Sequence, residues 1–360
     1  MAALSISFAT VLVFTRLSID TAEAQQSQQL PAAMSNEELS RVAMQALEKE
    51  DWPTAVADYK ALAERGDAGA QSVMGYFYSR GLVVPKDEKK SIFWYRKAAD
   101  QGNVKAQAKL GMAYLEGRGG LAIDLSRASE LLTKAAAQDD PEAQASLGSM
   151  YETGQGVPLD YSKALELYRK AADQKSAYAE FRVGLMHHLG NGVPLDYSIA
   201  AQWYRRANED GSVPAGTALG SLYLNGDGVP KDISEAVRLF RRAAEAGDDQ
   251  AQYYLGLAYA NGQGTNQDLA KAKSWLAKSA AQGNAEAKRN LAALDAGKAK
   301  TSADTAGKVP PSLEYRCVFE ARTPAVAAHK SPQVVEALYV DCLRSNWKRL
   351  FGSTPFPADR

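Results

Sequence analysis

Few residues in this 360-residue chain have the type and spacing to do covalent chemistry, and those few are scattered. Ser345 and Lys348 stand at the Ser-x-x-Lys spacing of a serine nucleophile with a lysine neighbour. Neither companion motif, Ser-Asp-Asn or Lys-Thr-Gly, accompanies them, and two fixed positions in four recur readily by chance. Cys317 or Cys342 with His329 would make a thiol and a base, but nothing supplies a third group to orient them. His187 and His188 are adjacent, so on a helix they point in different directions, and a metal would need Cys, Asp or Glu ligands from neighbouring segments. Gly-x-Gly pairs at Gly154/Gly156, Gly190/Gly192, Gly226/Gly228 and Gly262/Gly264 invite a phosphate-cradle reading, yet they lack the preceding strand that a dinucleotide fingerprint requires. Asp87, Asp124, Asp160, Asp196, Asp232 and Asp268 form a ladder, but single carboxylates a repeat apart cannot supply the six to eight oxygens of a calcium site. These residues lead to no catalytic assignment, no metal and no cofactor.

What positions them is a repeat. Gly75, Gly111, Gly148, Gly184, Gly220 and Gly256 are separated by 36, 37, 36, 36 and 36 residues. A fixed period of this length is the mark of a solenoid. Each unit opens with a helix carrying Leu-Gly-x-x-Tyr, as at Leu110-Gly111 with Tyr114. Glycine inside a helix costs about 1 kcal/mol relative to alanine, so six in register imply a close helix-to-helix approach. The Gly-x-Gly pair and a proline (Pro158, Pro194, Pro230) then end that helix. The aspartates follow at the place where a side chain caps the second helix by accepting backbone N–H bonds. That helix carries Trp94-Tyr95, Leu131-Leu132, Leu167-Tyr168, Trp203-Tyr204 or Leu239-Phe240, followed by small residues such as Ala171-Ala172.

Together, Leu-Gly-x-x-Tyr, Gly-x-Gly-Val-Pro-x-Asp and Trp-Tyr-x-Lys-Ala-Ala closely resemble the Sel-1-like repeat family, over six units spanning about 68–283. Unit two departs in its loop (Gly119-Gly120-Leu121, without proline), and unit four has His187 where the pattern has Tyr. The resemblance implies an all-α, right-handed α/α solenoid whose concave surface organises protein complexes, often outside the bacterial cytoplasm. By the same resemblance, the inner face of each first helix offers Tyr178, Phe181, Leu185 and His188 in unit four, Tyr253 and Leu257 in unit six and Tyr76 in unit one. Such side chains either form hot spots for a partner segment or pack against the adjoining helix.

Other segments frame the array. Ala2–Phe14 followed by Ala22-Glu23-Ala24 has the h-region and small-residue site of a signal peptide over 1–24, although no Lys or Arg precedes the apolar run. Residues 25–35 read as a polar linker, and 36–67 as a tetratricopeptide-like helical hairpin that caps the array, with Asn36 as its first capping residue. Residues 284–296 read as a closing helix, 297–312 as a second linker and 313–360 as a small module with a strand around Tyr315 and a helix after Pro332. Export would favour a Cys317–Cys342 disulfide in that module over two unrelated thiols.

With 42 basic and 42 acidic residues, the charge balance gives no reason to expect nucleic acid, and no apolar stretch is long enough to span a membrane. The expected protein is a periplasmic, non-enzymatic scaffold that binds envelope proteins or peptides. The alternatives are a weak β-lactam-binding or hydrolysing protein, as linked to cysteine-rich secreted Sel-1-like proteins, and a secreted factor that binds a host protein. This array lacks the cysteine pairs that those relatives carry in each repeat.

Overall fold

The structure is a computed structural model that describes residues 34–296. These residues are all-α, with fifteen α-helices, one short 3-10 turn and no strand. They belong to two compact units, divided along the chain between Leu159 and Asp160. The first holds α1 (Asn36–Glu48), α2 (Trp52–Glu64), α3 (Ala68–Arg80), α4 (Glu88–Asp100), α5 (Val104–Glu116), α6 (Leu125–Ala136) and α7 (Pro141–Thr153), with the 3-10 turn Arg118–Gly120 after α5. The second holds α8 (Tyr161–Asp173), α9 (Ala177–Leu189), α10 (Tyr197–Glu209), α11 (Val213–Asn225), α12 (Ile233–Glu245), α13 (Asp249–Asn261), α14 (Leu269–Ala281) and α15 (Ala285–Asp295). Within each unit every helix packs on the next in sequence, the nearest-neighbour pattern of an α/α solenoid.

The aspartate ladder is a set of helix caps. Asp87, Asp124, Asp160, Asp196, Asp232 and Asp268 each accept the backbone N–H three residues on, at 2.9–3.0 Å. A second set, which the sequence reading did not assign, caps five of the first helices, through Asp67, Asn103, Asp140, Ser176 and Asp248, and the closing helix through Asn284. At the start of α1 the cap is Ser35 rather than Asn36. Its hydroxyl accepts from the Glu38 N–H at 3.2 Å while the Glu38 carboxylate accepts from the Ser35 N–H at 2.9 Å, a reciprocal capping box.

The helix glycines do permit close approach. A Cβ on Gly184 would stand 2.7 Å from the Tyr204 ring, and Gly75, Gly111, Gly220 and Gly256 meet Tyr95, Leu132, Phe240 and Leu276 in the same way. In the loop, Gly190 closes α9 in the left-handed region, and Gly192, two residues on at φ 71°, lies against Tyr161 where a Cβ would clash. A glutamine four residues before the helix glycine joins successive hairpins. Gln71, Gln107, Gln144 and Gln252 donate side-chain N–H groups to the carbonyls of Ala63, Ala99, Ala136 and Ala244, near the end of the preceding helix.

Candidate functional site: a cationic cleft on the first two repeats

The inner-face residues divide sharply. Tyr76 and Tyr178 are 44% and 48% exposed. Tyr253 and Leu257 are half-buried. Phe181, Leu185 and His188 are core, which corrects their expectation as a contact surface. The physical reason is the enclosure of α9, whose residues 179–188 are all buried. Phe181 and Leu185 pack with Tyr204 of α10 and with Ala215, Ala218, Leu219 and Leu222 of α11. The His188 ring sits 5.1 Å from Tyr197 and 5.9 Å from Tyr204, centroid to centroid. Burial pulls its pKa down to about 4, so it is a neutral imidazole near neutral pH. His187 is also buried, and its pKa is lowered by desolvation and then by Arg169. Among the described residues, no group of three His, Cys, Asp or Glu side chains comes together to hold a metal.

A cleft opens in the first unit. Between α3, α4 and α5 lies a cleft of about 250 Å³, and Tyr76 stands on its rim. Four residues after the helix glycine, repeat one carries the small Ser79 where repeats two to five carry Leu115, Glu152, His188 and Leu224; repeat six, with Ala260, is small there too, so Ser79 is only one part of what opens the cleft. Tyr95 forms the floor. It is buried against Gly75, and burial pushes its phenol up to about 12, with the neighbouring Ser79 hydroxyl offsetting only part of that shift. The irregular loop of repeat two supplies one wall. Its 3-10 turn places Gly119, at φ 65°, against Ile92 and the Glu88 carbonyl, where a Cβ would clash, and so brings Arg118 onto α4.

The lining holds four cations, Arg80, Lys86, Lys109 and Arg118, and one carboxylate, Glu88. Lys86 pairs with Glu88 at 3.7 Å, Arg118 pairs with Glu116 at 2.7 Å, and Lys109 pairs with Glu142. Arg80 instead lies over the Tyr76 ring, 5.8 Å from its centroid. No acid, base and nucleophile converge here, and the chemistry offered is recognition by charge and ring stacking. Sequence reasoning picked out Tyr76 and the unusual loop, but not the four cations, which occupy positions where the repeat pattern dictates nothing. Cys317, Cys342, His329, Ser345 and Lys348 lie outside the described residues, as do the expected signal peptide and the 313–360 module.

The Sel1 repeat family matches six consecutive segments: 68–103, 104–140, 141–176, 177–212, 215–248 and 249–284. The chain belongs to this family. Among solved structures, a protective antigen with an SLR fold from uropathogenic Escherichia coli is 30% identical, with a TM-score of 0.60 over 82% of this chain and 68% of that one. A Sel1 repeat protein from Oxalobacter formigenes is 34% identical, with a TM-score of 0.59 over 72% and 76% of the two chains. The curated relatives are longer. The ERAD-associated E3 ubiquitin-protein ligase component HRD3A of Arabidopsis thaliana is 35% identical over 133 residues, covering 33% of this chain and 19% of that protein. Chitin synthase regulatory factor 3 of Schizosaccharomyces pombe is 37% identical over 101 residues, 28% and 11% of the two chains. The matched segment is thus a fifth or less of either curated relative. Sel1 repeat proteins bind protein partners, and none of the described helices here is long and apolar enough to cross a membrane.

Proposed function

We propose that this Sel1 repeat protein is a non-catalytic adaptor of the bacterial cell envelope, exported to the periplasm, that holds a partner protein on the first two repeats. One observation carries this reading: the cleft beside Tyr76 is open and lined in part by cations that the repeat does not need for packing, whereas the inner helix of repeat four is enclosed. Export is supported by the apolar run Ala2–Phe14 and the Ala22-Glu23-Ala24 site. Relatives that are a ubiquitin-ligase component and a synthase regulatory factor support a role in serving other proteins. The test is a photo-crosslinking amino acid at position 76 in the full chain, expressed in its own cells. One dominant envelope protein captured there, and absent with the crosslinker at exposed Leu195, is the expected result. Equal capture at both positions overturns the assignment of the cleft.

A secreted, host-facing role is the second reading, favoured by the description of the Escherichia coli relative as a protective antigen. Cell fractionation separates the two. Protein in the periplasmic extract supports the adaptor, and protein found only in the medium supports the secreted factor.

A further inference from the structure

Building on the adaptor reading, we infer that the cleft selects an acidic segment of its partner, seating a carboxylate on Arg80 and an apolar side chain on the Tyr76 ring. The first support is the charge of the lining. The chain as a whole is balanced, at 42 basic and 42 acidic residues, yet four cations and a single carboxylate line this cleft. The second is that Arg80 has no carboxylate within ion-pair distance among the described residues, and its guanidinium lies over the Tyr76 ring. The other three cations hold exposed ion pairs of the kind worth about 0–1 kcal/mol, which an incoming carboxylate can exchange. The third is that the repeat pattern does not explain Arg80. The positions equivalent to Arg80 hold Glu116, Thr153, Leu189, Asn225 and Asn261, so a basic residue there serves nothing that the fold repeats. An acidic peptide fits better than a polyanion, because the charges converge on one cleft of about 250 Å³ beside an exposed aromatic ring.

The probe is a fluorescein-labelled decapeptide of Glu with two interspersed Tyr, titrated into the full chain by fluorescence polarisation. Its analogue with every Glu replaced by Gln is the neutral control. The Glu peptide should bind, the Gln analogue should bind about tenfold more weakly or worse, and added salt should weaken the Glu peptide selectively. Arg80→Glu should abolish binding, while Arg238→Glu, at an exposed ion pair in the second unit, should leave it unchanged. Equal binding of the two peptides, or no effect of Arg80→Glu in a variant with an unchanged circular dichroism spectrum, overturns the inference. Tighter binding of tripolyphosphate than of the Glu peptide overturns it in favour of a polyanion. If the peptides fail while crosslinking from position 76 still captures one partner, acidic selectivity falls and the adaptor reading stands.

Discussion

The Arg206 guanidinium lies 2.9 Å from the carboxylate of Glu180, which is only 1% exposed. Glu180 occupies the position that glutamine fills in repeats one, two, three and six, where the side-chain amide donates to a carbonyl at the end of the preceding helix. A carboxylate cannot donate that bond. Arg206 takes over both duties, pairing with Glu180 and reaching toward the Ala172 carbonyl at 3.5 Å.

Arg206→Ala should therefore destabilise the protein by about 2–3 kcal/mol, because a buried carboxylate loses its counter-ion. Glu180→Gln should be neutral or stabilising, since the amide can donate to Ala172 as its counterparts do. In the Glu180→Gln background, Arg206→Ala should cost far less. Urea unfolding of the four proteins of this cycle measures the coupling. Equal costs of Arg206→Ala in both backgrounds would falsify the exchange of roles.

How much of this was legible in the sequence depends on what each feature needs. The helix glycines and the aspartate caps recur because every unit makes the same contact, so Gly184 under Tyr204 and Asp196 over Ile199 could be read from spacing alone. Burial of an inner face is different. Periodicity assigns Phe181, Leu185 and His188 to one face of α9, but not how many helices cover that face. Ten successive buried residues, 179–188, signal a helix enclosed on every side, and His187-His188 at its end hides that in the sequence. The cleft was less legible still, because it depends on space left beside the small Ser79 and on a wall supplied by the irregular loop of the next repeat.

Gly184→Ala should destabilise the protein although alanine is the better helix former by about 1 kcal/mol. The new Cβ would meet the Tyr204 ring at 2.7 Å, and that ring is fully buried, so it cannot swing away. Overpacking of this kind costs about 1–3 kcal/mol, enough to exceed the propensity gain. Thermal unfolding of the variant should move down by several degrees, and an unchanged or raised midpoint would show that α9 and α10 can separate freely.

The turn between second and first helices carries a different signal. Lys175 sits at φ 61°, where the corresponding residues of repeats one, four, five and six are Gly102, Gly211, Gly247 and Gly283. A residue with a Cβ in the left-handed region is disfavoured by about 1–2 kcal/mol. Lys175 is exposed, so its side chain buries nothing that would be lost. Lys175→Gly should stabilise the protein by about 1 kcal/mol after the added freedom of the unfolded chain is allowed for. A lower urea midpoint in the variant would show that the lysine side chain contributes more than the backbone strain.

His188 gives the array a dependence on pH whose sign follows from its burial. Its folded pKa is about 4, below the ordinary histidine value of 6.5, because the apolar surroundings disfavour the imidazolium. Between those two values the unfolded chain binds a proton that the folded chain does not, so stability falls as pH drops from 6.5 toward 4 and is fully retained above 6.5. The whole shift corresponds to about 3 kcal/mol. His187 adds a slope of the same sign, while half-buried Asp248, whose pKa is raised by desolvation, contributes the opposite sign in the acid range. A difference measurement isolates His188. Leucine stands at the equivalent position in repeats two and five, as Leu115 and Leu224, so His188→Leu preserves an apolar filling of the site. Urea midpoints measured at pH 7.5 and pH 5 should separate more for the parent protein than for the variant, at pH values chosen to bracket about 6.5. An identical separation in both proteins would mean that His188 does not carry the acid sensitivity and that its ring reaches solvent when it titrates.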